Sequence, residues 1–166
     1  MQSIPNSSAP VLVSSLSNSD LYDRLWKIKN NFPGKLGLRF CRGRKMHNLQ
    51  GLYDELSAAF QFPYYFGENW AALDECLNDL SWFISDAYLL CITSADEVLK
   101  NEPAEEFEEL ISLLVRAARE WGGENPNLAV MGRSPTVFQT LVQVAPGSEL
   151  VMQNRLQVLG FKASLL

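Results

Sequence analysis

The chain has 166 residues, 47% of them apolar, with 19 acidic and 14 basic side chains, one His and three Cys. That supplies enough apolar side chain for one compact domain and too little Gly, Pro and Cys for a collagen-like, disordered or disulfide-dense protein. No apolar run reaches the roughly 20 residues of a membrane-spanning helix, since Ser85 and Asp86 break the best stretch, Trp82 to Ile92. The opening MQSIPNSSAPVLVSS has no basic start before its short apolar patch, so no secretory signal is expected and a cytoplasmic location is. Cys41, Cys76 and Cys91 form no CxxC pair and are expected to be buried, reduced thiols. With His47 the only imidazole, multi-histidine metal sites are excluded, and neither a metal nor a cofactor is expected.

In chain order, Asn18, Ser19 and Asp20 are candidate caps for a helix in which Leu21, Leu25 and Ile28 recur at helical spacing, stopped by Pro33-Gly34. Residues 1–34 are read as an N-terminal extension carrying this helix. Leu36 to Cys41 reads as a strand, Arg42-Gly43-Arg44 as a turn, and Asn48 as the cap of a helix with Leu49, Leu52, Leu56 and Phe60 on one face. After an aromatic loop around Pro63, a second helix is expected from Gly67 to Leu80 or Trp82. Ala87 to Thr93 has the continuous apolar run of a strand buried in a parallel sheet.

Pro103 suits the first turn of a further helix whose early glutamates and late arginines match its dipole, with Gly122-Gly123 as its stop. A short strand at Leu128 to Met131, a strand over Thr136 to Val144, a helix from Ser148 to Leu159 and an edge strand at Phe161 to Leu165 follow. Alternating strands and helices imply an α/β fold: a small, mostly parallel sheet of three to four strands covered by helices. Residues 35–144 are read as the main domain and 145–166 as a C-terminal helix and strand packed on it.

Charge is unevenly spread along the chain. Residues 1–53 hold eight Lys or Arg against two acids, residues 54–124 three against sixteen, and residues 125–166 three against one. No Lys or Arg lies between Lys45 and Lys100, a stretch with nine carboxylates. Such a cluster attracts cations or a basic partner and opposes a phosphate backbone, so direct binding to nucleic acid is not expected. An ordinary acidic surface paired in three dimensions with the basic N-terminal third is the alternative.

Residues 60–83 hold eight of the chain's eighteen aromatic side chains. At 100° per residue, Trp70, Leu73, Cys76, Leu77 and Leu80 share one helix side, and Glu68, Glu75 and Asp79 the other. Ala71 and Ala72 leave those acids accessible, and Tyr64-Tyr65-Phe66 stands at the helix start. Rigid rings that exclude water around a carboxylate row are the composition of a protein-binding hot spot. Glu68 and Asn69 have a second reading, as residues that cap and orient the helix start.

The run Phe62-Pro63-Tyr64-Tyr65-Phe66-Gly67-Glu68-Asn69, followed by Trp70-Ala71-Ala72-Leu73-Asp74-Glu75-Cys76-Leu77, resembles the barstar family of ribonuclease inhibitors. The likeness extends upstream through Leu36 to Cys41, Gly43 and the Leu49 to Phe60 helix, and more loosely downstream, covering roughly residues 35–144. It implies a barstar-like fold with N- and C-terminal additions. It also implies an immunity-type role, in which the aromatic loop and the next helix plug the active site of a secreted ribonuclease and an acid stands in for the substrate phosphate. The matching acid is Glu75 and the matching loop aromatic is Tyr65. The implied binding face comprises Tyr64, Tyr65, Glu68, Asn69, Ala71, Ala72, Glu75 and Asp79, with no catalytic residue. The implied partner is a basic protein, a secreted ribonuclease, and direct binding to nucleic acid or membrane is not expected. Ala71 stands where the family has an acid on the first helical turn, and Asp74 where it has a bulky aromatic. Alignment on the Gly122 stop puts Ala117, with only Glu120 nearby, at the late acidic position.

Two other readings stay open. Glu68 with Glu75, or Glu75 with Asp79, forms an acid/base pair for hydrolysis or holds a divalent ion. Alternatively, the inhibitor fold serves a basic partner that is not a nuclease.

Overall fold

The computed structural model describes residues 9–125 and 132–166. Its strands are β1 (Val11–Ser14), β2 (Leu36–Arg42), β3 (Ala87–Thr93), β4 (Val137–Gln143) and β5 (Ala163–Leu165). Its α-helices are α1 (Asn18–Asn31), α2 (Leu49–Phe60), α3 (Trp70–Asp79), α4 (Ala104–Arg119) and α5 (Glu149–Val158). The strands form one sheet in the order β2-β3-β4-β1-β5, parallel at every pairing. The α/β class is as expected, with five strands among the described residues instead of three to four. The strand expected at Leu128 to Met131 lies outside the described residues.

The extra strand is β1. It sits inside the sheet, paired on one side with β4 and on the other with β5. A run of four residues buried on both faces carries no alternation to announce it. The N-terminal segment therefore supplies an interior strand as well as a helix.

Alternate residues of the strands feed two apolar layers. On one face Leu21, Leu25 and Ile28 of α1 pack against Leu12, Leu36, Leu38, Leu89, Cys91 and Leu141. On the other, Leu52, Leu56 and Phe60 of α2, Leu73 and Leu77 of α3, Leu110 and Leu114 of α4, and Met152 and Leu156 of α5 cover Val13, Tyr88, Leu90, Ile92, Phe138 and Val142. One helix thus shields one face and four shield the other. Such helical crossovers are how a fully parallel sheet is closed.

Local signals set the helix bounds. Ser17 caps α1, its hydroxyl accepting from the Asp20 N–H, one residue ahead of the expected caps. Asn48 caps α2 by accepting from the Gly51 N–H. Asn69 caps α3 by accepting from the Ala72 N–H at 2.9 Å, so α3 starts at Trp70, three residues later than expected. Beyond α4 the chain widens through Glu120 to Glu124 and turns at Gly123, whose φ of 109° suits glycine. Among the described residues, no helix is long and apolar enough to cross a membrane.

Candidate functional site

The aromatic loop is anchored from within. Phe62 is buried, stacks on Phe60 of α2 at 5.9 Å and meets Phe66 at 4.9 Å. Phe66 also contacts Tyr53. The Trp82 Nε1–H donates to the Phe60 carbonyl and the Trp70 Nε1–H to Glu106 at 2.8 Å, tying the loop and α3 to α2 and α4. These rings hold the loop while two others point away. Tyr64 is fully exposed, Tyr65 is 61% exposed, and their rings pack edge to face at 5.6 Å. Partial burial of the phenol, with Asp79, Cys76 and Glu75 beside it, raises Tyr65 above the ordinary tyrosine range.

The carboxylates along α3 differ in how far they are already satisfied. Asp74 accepts from Arg116 Nε at 3.1 Å. Asp79 accepts from Arg133 Nη2 at 2.9 Å, while Arg133 Nη1 donates to the Asn78 carbonyl and the guanidinium lies 5.0 Å from the Trp121 ring. Glu75 is exposed, and among the described residues its carboxylate has no hydrogen bond or ion pair. The small Ala71 and Ala72 leave space on the same helix.

The row of three acids expected on one helix face is therefore corrected at both ends. Glu68 precedes the helix in a left-handed conformation, φ 47°, with its carboxylate accepting from Gln50 on α2. The same Gln50 amide donates to Asp54. Asp79 is clasped by an arginine 54 residues away in sequence. Asn69 serves the helix start through its cap, and its Nδ2 also donates to the Gly67 carbonyl. The unneutralised stretch between Lys45 and Lys100 meets its cations from elsewhere in the chain: Arg42 for Glu55, Arg116 for Asp74, Arg133 for Asp79. Glu97 takes Lys100 and His47.

Sequence reasoning missed Arg116 and Arg133 as partners of this face, and Asp54 as a neighbour of Glu68. Only the last left a signal, the helical spacing of Gln50 and Asp54. In neither of the two acid/base pairs considered are both members free, and the described residues include no cluster of three or more His, Cys, Asp or Glu placed to hold a metal ion.

Fold and surface together define a parallel α/β protein whose distinguishing face is a lone carboxylate set among exposed tyrosines on a firmly anchored helix. The chain belongs to the Barstar (barnase inhibitor) family, whose pattern matches residues 37–132. No curated protein matches the chain. Among solved structures it is similar to the Aeropyrum pernix ORC2 protein in ADPNP-ADP complexes, with a TM-score of 0.59, 13% identity, and coverage of 96% of this chain and 41% of that one. It is also similar to Drosophila ORC bound to AT-rich DNA and Cdc6, with a TM-score of 0.53, 12% identity, and coverage of 95% and 48%. The chain thus spans less than half the length of either. At these identities the likeness is one of fold, and the phosphate-cradling GxxxxGK[ST] stretch occurs nowhere in this sequence.

Proposed function

We propose that the chain is a non-enzymatic, immunity-type inhibitor that occludes the active site of a basic, secreted ribonuclease, acting in the cytoplasm of the cell that makes the enzyme. The observation that carries this reading is Glu75: exposed and unpaired while Asp74 and Asp79 on the same helix are already neutralised, and bordered by Tyr65 and two alanines. A cleft that binds RNA phosphates is lined by Arg and Lys. A carboxylate presented without a competing cation forms charge-assisted bonds there that the flanking acids would first have to surrender. Tyr64 and Tyr65 supply rigid apolar area that dries the contact. Glu68 and Asn69 shape the loop and the helix start. Membership of the inhibitor family supports the same conclusion.

The test is inhibition of RNA cleavage by a basic ribonuclease captured with the protein, using wild type and Glu75→Ala. Truncating a central charged anchor costs about 2–4 kcal/mol, or about 30- to 1,000-fold in affinity. The association rate should fall steeply with added salt. A variant that protects RNA as well as wild type would remove Glu75 from the mechanism. A captured basic partner without nuclease activity would assign the same face to another target.

A further inference from the structure

Strand β2 lies at the end of the sheet, seven residues long and paired with β3 alone among the described strands. Along such a strand, successive residues turn their N–H and C=O alternately toward the neighbour and away from it. Lys35 faces inward, its N–H and its carbonyl both bonded to Asp86, and the Cys41 carbonyl accepts from Thr93 on β3. Leu36, Leu38, Phe40 and Arg42 therefore face outward. Glu55 takes the Arg42 N–H, and the Leu38 carbonyl accepts from Arg39 Nη1 at 3.4 Å. Among the described residues, the Leu38 and Phe40 N–H groups and the Phe40 carbonyl have no partner. The two sides of this edge differ in chemistry. Tyr22, Trp26 and Lys29 share the flank of α1 beside it, where Tyr22 stacks on Phe40 at 4.5 Å and Lys29 Nζ lies 4.6 Å from the Trp26 ring. Tyr22 and Trp26 are 38% and 48% exposed. On the other side the Arg39 guanidinium lies 3.6 Å from the Phe83 ring and Lys35 Nζ 5.6 Å from it. Arg39 Nε is buried without a hydrogen-bond partner, and among the described residues neither cation has a carboxylate within ion-pair distance.

From this edge we infer that β2 is a docking strand for an extended segment of another protein, one that alternates apolar and acidic residues and joins the sheet as a further strand. The open N–H and C=O groups supply the main-chain bonds of such an addition. Side chains of the added strand alternate across its plane. Its apolar residues then lie against Tyr22, Trp26 and Phe40, and its acids against Lys35 and Arg39. Charge selects this occupant over two rivals. Pairing β2 with the same strand of a second copy would set Lys35 and Arg39 of one copy toward those of the other, and like charges across strands repel. A nucleic acid would meet the cations through its phosphates, which accept and do not donate, and so would leave the Phe40 carbonyl unanswered. The acids close to this edge are already engaged, Glu55 by Arg42 and Asp86 by the Lys35 N–H, so they do not oppose an incoming carboxylate as free charges would.

Fluorescence anisotropy of a labelled peptide of about ten residues, alternating valine and glutamate, titrated with the full chain, tests this. Binding should be measurable below about 1 mM, and Arg39→Gln and Lys35→Glu should each weaken it by about fivefold or more. Two further peptides, N-methylated on the valine amides or on the glutamate amides, separate strand addition from contact through side chains alone. A strand offers only one of those two sets to the edge, so one methylated peptide should bind and the other should not. Hydrogen exchange read by NMR needs no variant, and bound peptide should slow the Leu38 and Phe40 amides about tenfold or more. Absence of binding up to about 1 mM, two methylated peptides that bind alike, or unchanged exchange at Leu38 and Phe40 with peptide bound would overturn the inference. So would a ten-nucleotide oligouridine that binds more tightly than the peptide, which would give the cations to nucleic acid.

Discussion

Glu75 and Asp79 lie one helical turn apart on α3, and replacing each in turn should separate binding from stability. Among the described residues the Glu75 carboxylate has no partner to lose, so Glu75→Ala should change unfolding free energy by no more than about 0.5 kcal/mol, the usual range for an exposed site. Asp79→Ala strands Arg133, whose side chain is 20% exposed against 39% for Asp79, after loss of a bond at 2.9 Å. That ion pair sits between the fully exposed class, worth about 0–1 kcal/mol, and the buried class, where losing one partner costs about 3–5 kcal/mol. Arg133 keeps its bond to the Asn78 carbonyl and its place against Trp121, which limits the damage. The expected cost is about 1–2 kcal/mol, a fall of about 2–8 °C in melting temperature for a chain of this size. Urea unfolding followed by tryptophan fluorescence gives the stability arm, and competition for a captured basic partner gives the binding arm. Asp79→Ala should leave affinity within about threefold while Glu75→Ala does not. If Glu75→Ala proves the more destabilising, or Asp79→Ala costs as much affinity, the division of labour along α3 is wrong.

Three further outcomes follow from the structure. Burial pushes the Glu55 carboxyl up, but hydrogen bonds from the Arg42 side chain and backbone outweigh it and hold it below its ordinary 4.5. Its contribution to stability is therefore complete above that value and lost as pH falls through the lowered one. Urea midpoints should decline on acidification below about pH 4.5, and Glu55→Gln should flatten that part of the profile. Burial raises the Cys41 and Cys76 thiols and pushes Cys91 up to about 12, so no thiol should react promptly with a disulfide reagent at neutral pH, and all three should react in denaturant. A fast-reacting thiol in the native protein would contradict the packing of these cores. At Gly43, just past β2, an added methyl would strike the backbone carbonyls of Thr93 and Ser94, so Gly43→Ala should lower stability by about 1–3 kcal/mol in a calorimetric melt.

What the sequence revealed of this fold depended on how local each signal was. The α4 helix, with apolar Phe107, Leu110, Ile111 and Leu114 on one face and glutamates opposite, was legible because periodicity and dipole pattern agree within sixteen residues. Strand β3 was legible from its unbroken apolar run. Strand β1 was not: its place between β4 and β5 is fixed by partners more than 120 residues away. At the candidate site, Asn69 before Trp70 was readable as a cap, but the periodicity carried the helix back over Glu68, whose backbone is left-handed. Tyr64, Tyr65 and Glu75 were legible as a face from composition. That Asp74 and Asp79 are spent on Arg116 and Arg133 was not, since those contacts span 42 and 54 residues and leave no trace in spacing.

The position of β1 has a bearing on how the protein comes off the ribosome. Its neighbours β4 and β5 follow it by more than 120 residues, so β1 must wait for both to be made before it can be seated. Until then Val11, Leu12 and Val13 lie bare, and a polypeptide trimmed to the family match at residues 37–132 would lack β1, β4 and β5 altogether. For this chain the minimal folding unit is therefore larger than its family signature, and truncations designed from that signature alone should be recovered as aggregates.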